Sequence, residues 1–281
     1  MKKTAFLAFV LLLSMIVYAR SGSGPQKVLR VSDGKVVAFD QMIDDLKNAS
    51  LVFVGEIHDI PEHHQAQLDI IKAVHQADRE PAIGLEMFRA ENQAVLTSWS
   101  QGKMPLKEFL VSYYDNWRMP WPLYRDIFEY AREHEVPLRG LNIPEGISRK
   151  IAERGFSSLT ADERKQLPPG ISCNVDPAYM EFIKRAYSGH SRHQDKNFVN
   201  FCEAQMVWDK AMAWHAVGYL KKNPDRSMVI LAGIGHAWKR GIAEQLEGNG
   251  KYTFRVVLPA IPGQVDRGNV TAEDADYLLL E

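Results

Sequence analysis

The chain has 281 residues, 46% hydrophobic and 25% charged, with a formal net charge of −1 and an isoelectric point near 6.8. That length and apolar content suffice for a sizeable core, in one large domain or two small ones. The near-neutral balance gives no electrostatic reason to expect nucleic acid as a partner, so function has to be read from local motifs.

At the N-terminus, Lys2 and Lys3 precede an apolar stretch over residues 5–17, and residues 17–19 (VYA) offer an A-x-A-like cleavage site. This reads as a signal peptide over residues 1–19, because a spanning helix needs roughly 20 apolar residues and this run is shorter. No cysteine lies near the cleavage point, so no lipobox anchor is expected and the mature chain is expected to be exported, periplasmic or secreted. Residues 20–27, rich in Ser and Gly, read as a linker to a single domain over 28–281. Cys173 and Cys202 would share an oxidising compartment, where a disulfide and two free thiols are both open.

Beyond the linker, strands are predicted over 51–54, 82–85, 138–141, 228–231, 253–258 and 277–280. Helices are predicted over 62–75, 91–100, 123–133, 145–154, 177–186, 197–220 and 240–246. The alternation predicts an α/β fold with a mainly parallel sheet flanked by helices. Residues 145–220 carry helical patterns without a strand and read as a helical insertion or lid.

Four predicted strands run into a glycine and then a polar residue: Gly55-Glu56-Ile57-His58, Gly84-Leu85-Glu86, Gly140-Leu141-Asn142 and Gly233-Ile234-Gly235-His236. Ligands of open parallel sheets bind beyond the carboxyl ends of the strands, so Glu56, His58, Glu86 and His236 are predicted to share a crevice. Asp59, Pro61 and Glu62 suit a helix start, with Asp59 as N-cap. His63 and His64 border the apolar face of that helix, as structural histidines or as ligand-binding residues. On the helix over 197–220, Gln205 and Asp209 interrupt an apolar stripe. A buried carboxylate needs a partner, with an arginine ion pair the first expectation for Asp209 and a site histidine the second. The segment SYYDNWRMPWPLYRDIFEYAR is dense in aromatics, mostly at core spacing, although tyrosine can also serve as an axial haem ligand.

The motifs LVFVGEIHDIPEHHQAQLDII, GLEMF, WPLYRDIFEYAR, GLNIPEGISRKIAERGFSSL, AQMVWDKAMA and AGIGHAWKRGIAEQL occur in an order that resembles the ChaN-like haem-binding uptake proteins of the Tiki superfamily. The resemblance spans about residues 28–280. It implies an exported bacterial haem-binding protein in iron uptake, with tyrosine on the iron and basic or histidine side chains on the propionates. Tyr113, Tyr114 and Tyr124 are the candidate iron ligands. The implied partners are haem, a second copy of the chain in a homodimer, and an outer-membrane haem receptor. Relatives in the wider superfamily are metal-dependent hydrolases. On that alternative, His58, Glu86 and His236 would hold Zn, Mn or Fe, and Glu56 would deprotonate a bound water. The HEXXH and G-x-S-x-G motifs of familiar proteases and esterases are absent.

Overall fold

The computed structural model describes residues 27–77, 80–186, 198–246 and 251–280; the expected signal peptide and nearly all of the linker lie outside them. Its strands are β1 (Val28–Arg30), β2 (Lys35–Val37), β3 (Leu51–Glu56), β4 (Pro81–Arg89), β5 (Leu138–Asn142), β6 (Ser227–Gly233), β7 (Phe254–Pro259) and β8 (Tyr277–Leu279). They form one sheet in the order β2-β1-β8-β7-β3-β6-β4-β5. From β8 to β5 every pairing is parallel, and β1 joins β8 and β2 antiparallel. All of β3 and β6 is buried, as expected of central parallel strands covered on both faces.

Side chains alternate between two cores, as the pleat requires. Val52, Val54, Ile83 and Leu85 face α1 (Phe39–Leu46), α2 (Pro61–Gln76), α3 (Gln93–Ser100), α4 (Leu106–Asn116) and α5 (Trp121–Glu133). Leu51, Phe53, Met228 and Ile230 face the other side. The chain there contributes α6 (Glu145–Arg154), α7 (Ala161–Arg164), α8 (Pro177–Ala186), α9 (Phe198–Lys222) and α10 (Ile234–Ala237). No helix among the described residues is long and apolar enough to cross a membrane.

The mainly parallel α/β sheet is the expected one, with several differences in detail; α1, α7 and α10 are helices with no predicted counterpart. First, β1 and β2 are three residues each, too short to show an alternating pattern. Second, α4 also escapes sequence reading, because it leaves Val111 and Tyr114 exposed and so blurs its apolar face. Third, residues 145–220 are more than an insertion or lid: Met212, Ala216 and Tyr219 of α9 belong to the core against the sheet, while α6 packs on the far side of α9. Fourth, the helix expected over 240–246 contracts to a 3-10 turn at Ile242–Gln245. Cys173 and Cys202 are free, and burial pushes both thiols up to about 12.

Strand order positions the site. β6 lies between β3 and β4, with Glu56 opposite Gly233 and Leu231 opposite Leu85, so three carboxyl ends sit side by side. At the neighbouring β4–β5 edge the register shifts between Leu85 and Arg89. A Cβ at Gly140 would stand 2.6 Å from the Arg89 carbonyl oxygen, a backbone atom that cannot rotate away. Gly140→Ala should therefore cost about 1–3 kcal/mol. At about 2–4 °C per kcal/mol for domains near this size, the loss will show as a fall of several degrees in a thermal melt. An unchanged Tm would show that the edge has slack.

Candidate functional site

β3 delivers Glu56 to the end of the sheet, 1% exposed. A carboxylate so placed must be paired. Its Oε1 accepts from His58 Nδ1 at 2.7 Å and from the Tyr124 hydroxyl, and its Oε2 stands 3.0 Å from His64 Nδ1. His64 Nε2 donates to the His58 carbonyl at 3.0 Å, so both ring nitrogens of His64 face oxygen acceptors. Burial opposes a charge on His64, and Glu56 beside it raises its pKa. Burial opposes the Glu56 charge, but the hydrogen bonds from His58 and His64 prevail and hold the carboxyl at about 2. Burial likewise opposes a charge on His58, and the bond to Glu56 with the nearby Glu86 raises it to about 9.

His63 is structural. Its Nδ1 accepts from the Ile57 backbone N–H at 2.9 Å, which closes the turn between β3 and α2, and burial lowers its pKa. This corrects the expectation for Asp59: the N-cap is Ile60, no side chain caps it, and Asp59 is exposed. Pro61 stands at the helix start as expected, whereas Glu62 lies in the first turn without the capping-box pair to Asp59 that the sequence suggests.

The second half of the crevice comes from β4, β6 and α9. Glu86 Oε2 accepts from Gly233 N at 2.6 Å, and its Oε1 lies 3.8 Å from His236 Nε2. His236 Nδ1 is 2.6 Å from Asp209 Oδ1, and Asp209 Oδ2 accepts from the Tyr179 hydroxyl at 3.1 Å. The partner of Asp209 is thus the site histidine and not an arginine. Burial works against a charge on His236, but Asp209 and Glu86 together raise its pKa. Gln205 is buried one turn before Asp209 on α9.

The two halves meet at Gly233. A Cβ at Gly233 would lie 2.8 Å from His58 Cε1 and 3.6 Å from Glu86 Oε2. The structure therefore brings Glu56, His58, Glu86 and His236 together, with His64, Tyr124, Asp209 and Tyr179 behind them. His58, its side chain 37% exposed, is the accessible member, and its ring stands edge-on to Trp117 at 4.9 Å. Trp208 packs similarly on His236 at 5.2 Å. Sequence reading missed Tyr179, Trp117 and Trp208, since no spacing links them to the strand ends.

Among the described residues, no group of three or more His, Cys, Asp or Glu side chains is arranged to hold a metal ion. Both Nδ1 atoms of His58 and His236 are bonded to carboxylates, and Glu86 Oε2 accepts from a backbone N–H. The hydrolase alternative, with Zn, Mn or Fe on these residues, has no ligand cluster to support it.

The three candidate tyrosines separate sharply. Tyr113 is fully buried and donates to the Met119 carbonyl at 3.0 Å, while Tyr124 is fully buried on Glu56. Burial raises both phenols well above the ordinary tyrosine value. Tyr114 is 50% exposed, and its oxygen accepts from Trp121 N at 3.2 Å.

A doubly covered parallel sheet with a polar crevice at its strand ends places the chain among α/β proteins, a class whose ligands bind beyond the carboxyl ends of the strands. Comparison with protein families is decisive: the model for haem-binding uptake proteins, Tiki superfamily, ChaN, matches residues 42–246, and the chain belongs to that family. Comparison with curated proteins finds no match. Among solved structures, the chain is similar to ChaN of Campylobacter jejuni with cofacially bound haem. That likeness has a TM-score of 0.71 and 19% identity over 92% of this chain and 97% of that one. It is also similar to a mutant of the erythromycin esterase EreC in its open conformation, with a TM-score of 0.50 and 15% identity over 84% of this chain and 76% of that one. At these identities both likenesses concern the fold.

The His58–Glu56 pair has a pH signature. His58 is raised from 6.5 to about 9, so its contribution to stability is full below pH 6.5 and is lost as pH rises through 9. Glu56 is lowered from 4.5 to about 2, so its contribution is present above pH 4.5 and is lost as pH falls through 2. The stability gap between wild type and His58→Ala should be widest near pH 4.5–6.5 and shrink towards pH 9. Denaturant melts of both proteins across that range test this, and a gap independent of pH would contradict the pairing.

Proposed function

We propose that this protein is an exported haem carrier of the uptake type, and that haem lies on the outer face of α4 with Tyr114 on the iron. The observation that carries the assignment is the separation of the tyrosines: of the three candidates, Tyr114 alone offers an exposed phenol. A phenolate oxygen is an established axial ligand of haem iron. Val111, 71% exposed, lies three residues before Tyr114 on the same helical face and supplies apolar surface for the macrocycle. Lys107, one turn before Val111, and Arg118, just past the helix end, offer cations for the propionates. Arg118 pairs on the surface with Glu145 at 3.2 Å, an exposed contact that a propionate can replace at little cost.

Several features support the wider reading. Family membership and the cofacial haem of the Campylobacter protein favour haem as the cargo. A haem lying on an exposed helix face leaves its second face uncovered, which favours a homodimer in which another copy covers it. His58 at the crevice mouth is a further donor for a propionate. The charged start and apolar run of residues 2–17 favour export to the periplasm or beyond. An outer-membrane haem receptor is then the natural exchange partner for such a carrier.

Haem titrations of the full mature chain and of single Tyr→Phe variants test the ligand. Tyr114→Phe should abolish the tyrosinate-type spectrum and weaken binding by about tenfold or more, equivalent to ~1.4 kcal/mol. Tyr113→Phe and Tyr124→Phe should keep the spectrum. A Tyr114→Phe variant that retains the wild-type spectrum would remove Tyr114 from the iron.

A further inference from the structure

A cleft of about 820 Å³ opens along the C-terminal half of α9, bounded by Arg139 of β5, residues 169–172 and residues 244–246. None of the crevice side chains lines it. We propose that this cleft is a second ligand site, for a planar polycyclic carboxylate.

Its charge selects an anion. Arg139, Lys210, Lys221 and Lys222 line it against the single carboxylate of Glu244. The lysines at the end of α9 also complement the helix dipole, so they alone would say little. Arg139 says more. Its guanidinium is half-buried, stacked 5.0 Å from the centre of the Tyr219 ring, and no carboxylate among the described residues pairs with it. Burial works against its charge. A carboxylate would meet that charge through the paired N–H donors of the guanidinium, a geometry arginine offers and lysine does not.

The floor selects a flat body. Gly218 sits inside α9, where glycine is disfavoured relative to alanine. A Cβ there would meet nothing within 4 Å, so packing within the chain does not demand glycine. Gly218 lines the cleft without a side chain, and Trp214, 40% exposed, lines it one turn before. His215 stands edge-on to Trp214 at 5.1 Å. Burial, aided by Arg139, lowers His215 to about 4, so it adds a neutral ring and not a further charge. A small inorganic anion would leave most of this volume unfilled, since clefts of roughly 300–1,000 Å³ suit ligands with a substantial apolar body. The site stands on these residues alone and does not depend on Tyr114 or on haem.

Fluorescence titration of the full mature chain with 1-pyrenecarboxylate, and with neutral 1-pyrenemethanol as control, tests the proposal. Wild type should bind the carboxylate saturably and the alcohol about tenfold more weakly or less. Arg139→Gln should lose a similar factor for the carboxylate. Gly218→Leu should abolish binding by filling the floor, with a Tm at or above that of wild type because leucine is the better helix former. Tyr114→Phe should bind like wild type, which keeps this result separate from the fate of the haem assignment. Equal binding of acid and alcohol, no saturable binding by wild type, or undiminished binding by both cleft variants would overturn it.

Discussion

The upper end of the sheet is organised around one buried negative charge. Moving a carboxylate out of water costs several kcal/mol even after the protein relaxes, and Glu56 sits at the end of the central strand with 1% of its surface exposed. Its donors come from three places: His58 in the turn, His64 on α2 and Tyr124 on α5. The same bonds that offset the desolvation therefore tie both helices to the strand end. Such a network is asymmetric. Removing one partner strands a buried charge, whereas an apolar replacement of the whole set need not destabilise the fold.

The order of strands extends that network across the sheet. Because β6 lies between β3 and β4, the Gly233 N–H reaches Glu86, and His236 arrives on the following turn with Asp209 behind it. Three imidazoles, of His58, His64 and His236, then face three carboxylates, of Glu56, Glu86 and Asp209. Fully ionised, the set is neutral. His58 carries its charge through neutral pH, so its outward Nε2 presents an N–H and not a lone pair. A donor at the mouth suits an anionic oxygen of a ligand.

The strand ends were legible because a glycine followed by a polar residue recurs four times, and parallel topology turns sequence order into spatial convergence. Choices that depend on tertiary packing were not legible. Asp59 has the chemistry of an N-cap, yet His63 reaches back to Ile57 and the cap is left to Ile60. Asp209 was visibly in need of a partner, but only the placement of α10 decides for His236 over an arginine. The length of β1 and β2, three residues each, leaves too little periodicity to read.

Helical phase explains why sequence could name the tyrosines but not sort them. Tyr113 and Tyr114 are adjacent on α4 and differ by about 100° around its axis. One rotation places Tyr113 among Phe88, Trp121 and Phe128; the other leaves Tyr114 half exposed at the surface. The buried ring fixes the position of the exposed one, since α4 cannot turn without extracting Tyr113 from the core. The end of the helix is held as well: Trp117 N donates to the Tyr113 carbonyl at 2.7 Å, and the Trp117 ring stands against His58. The accessible imidazole thus rests on an indole three residues beyond the exposed phenol. A ligand contacting both would bind to side chains already held in place, at a lower entropic cost than if loops had to order around it.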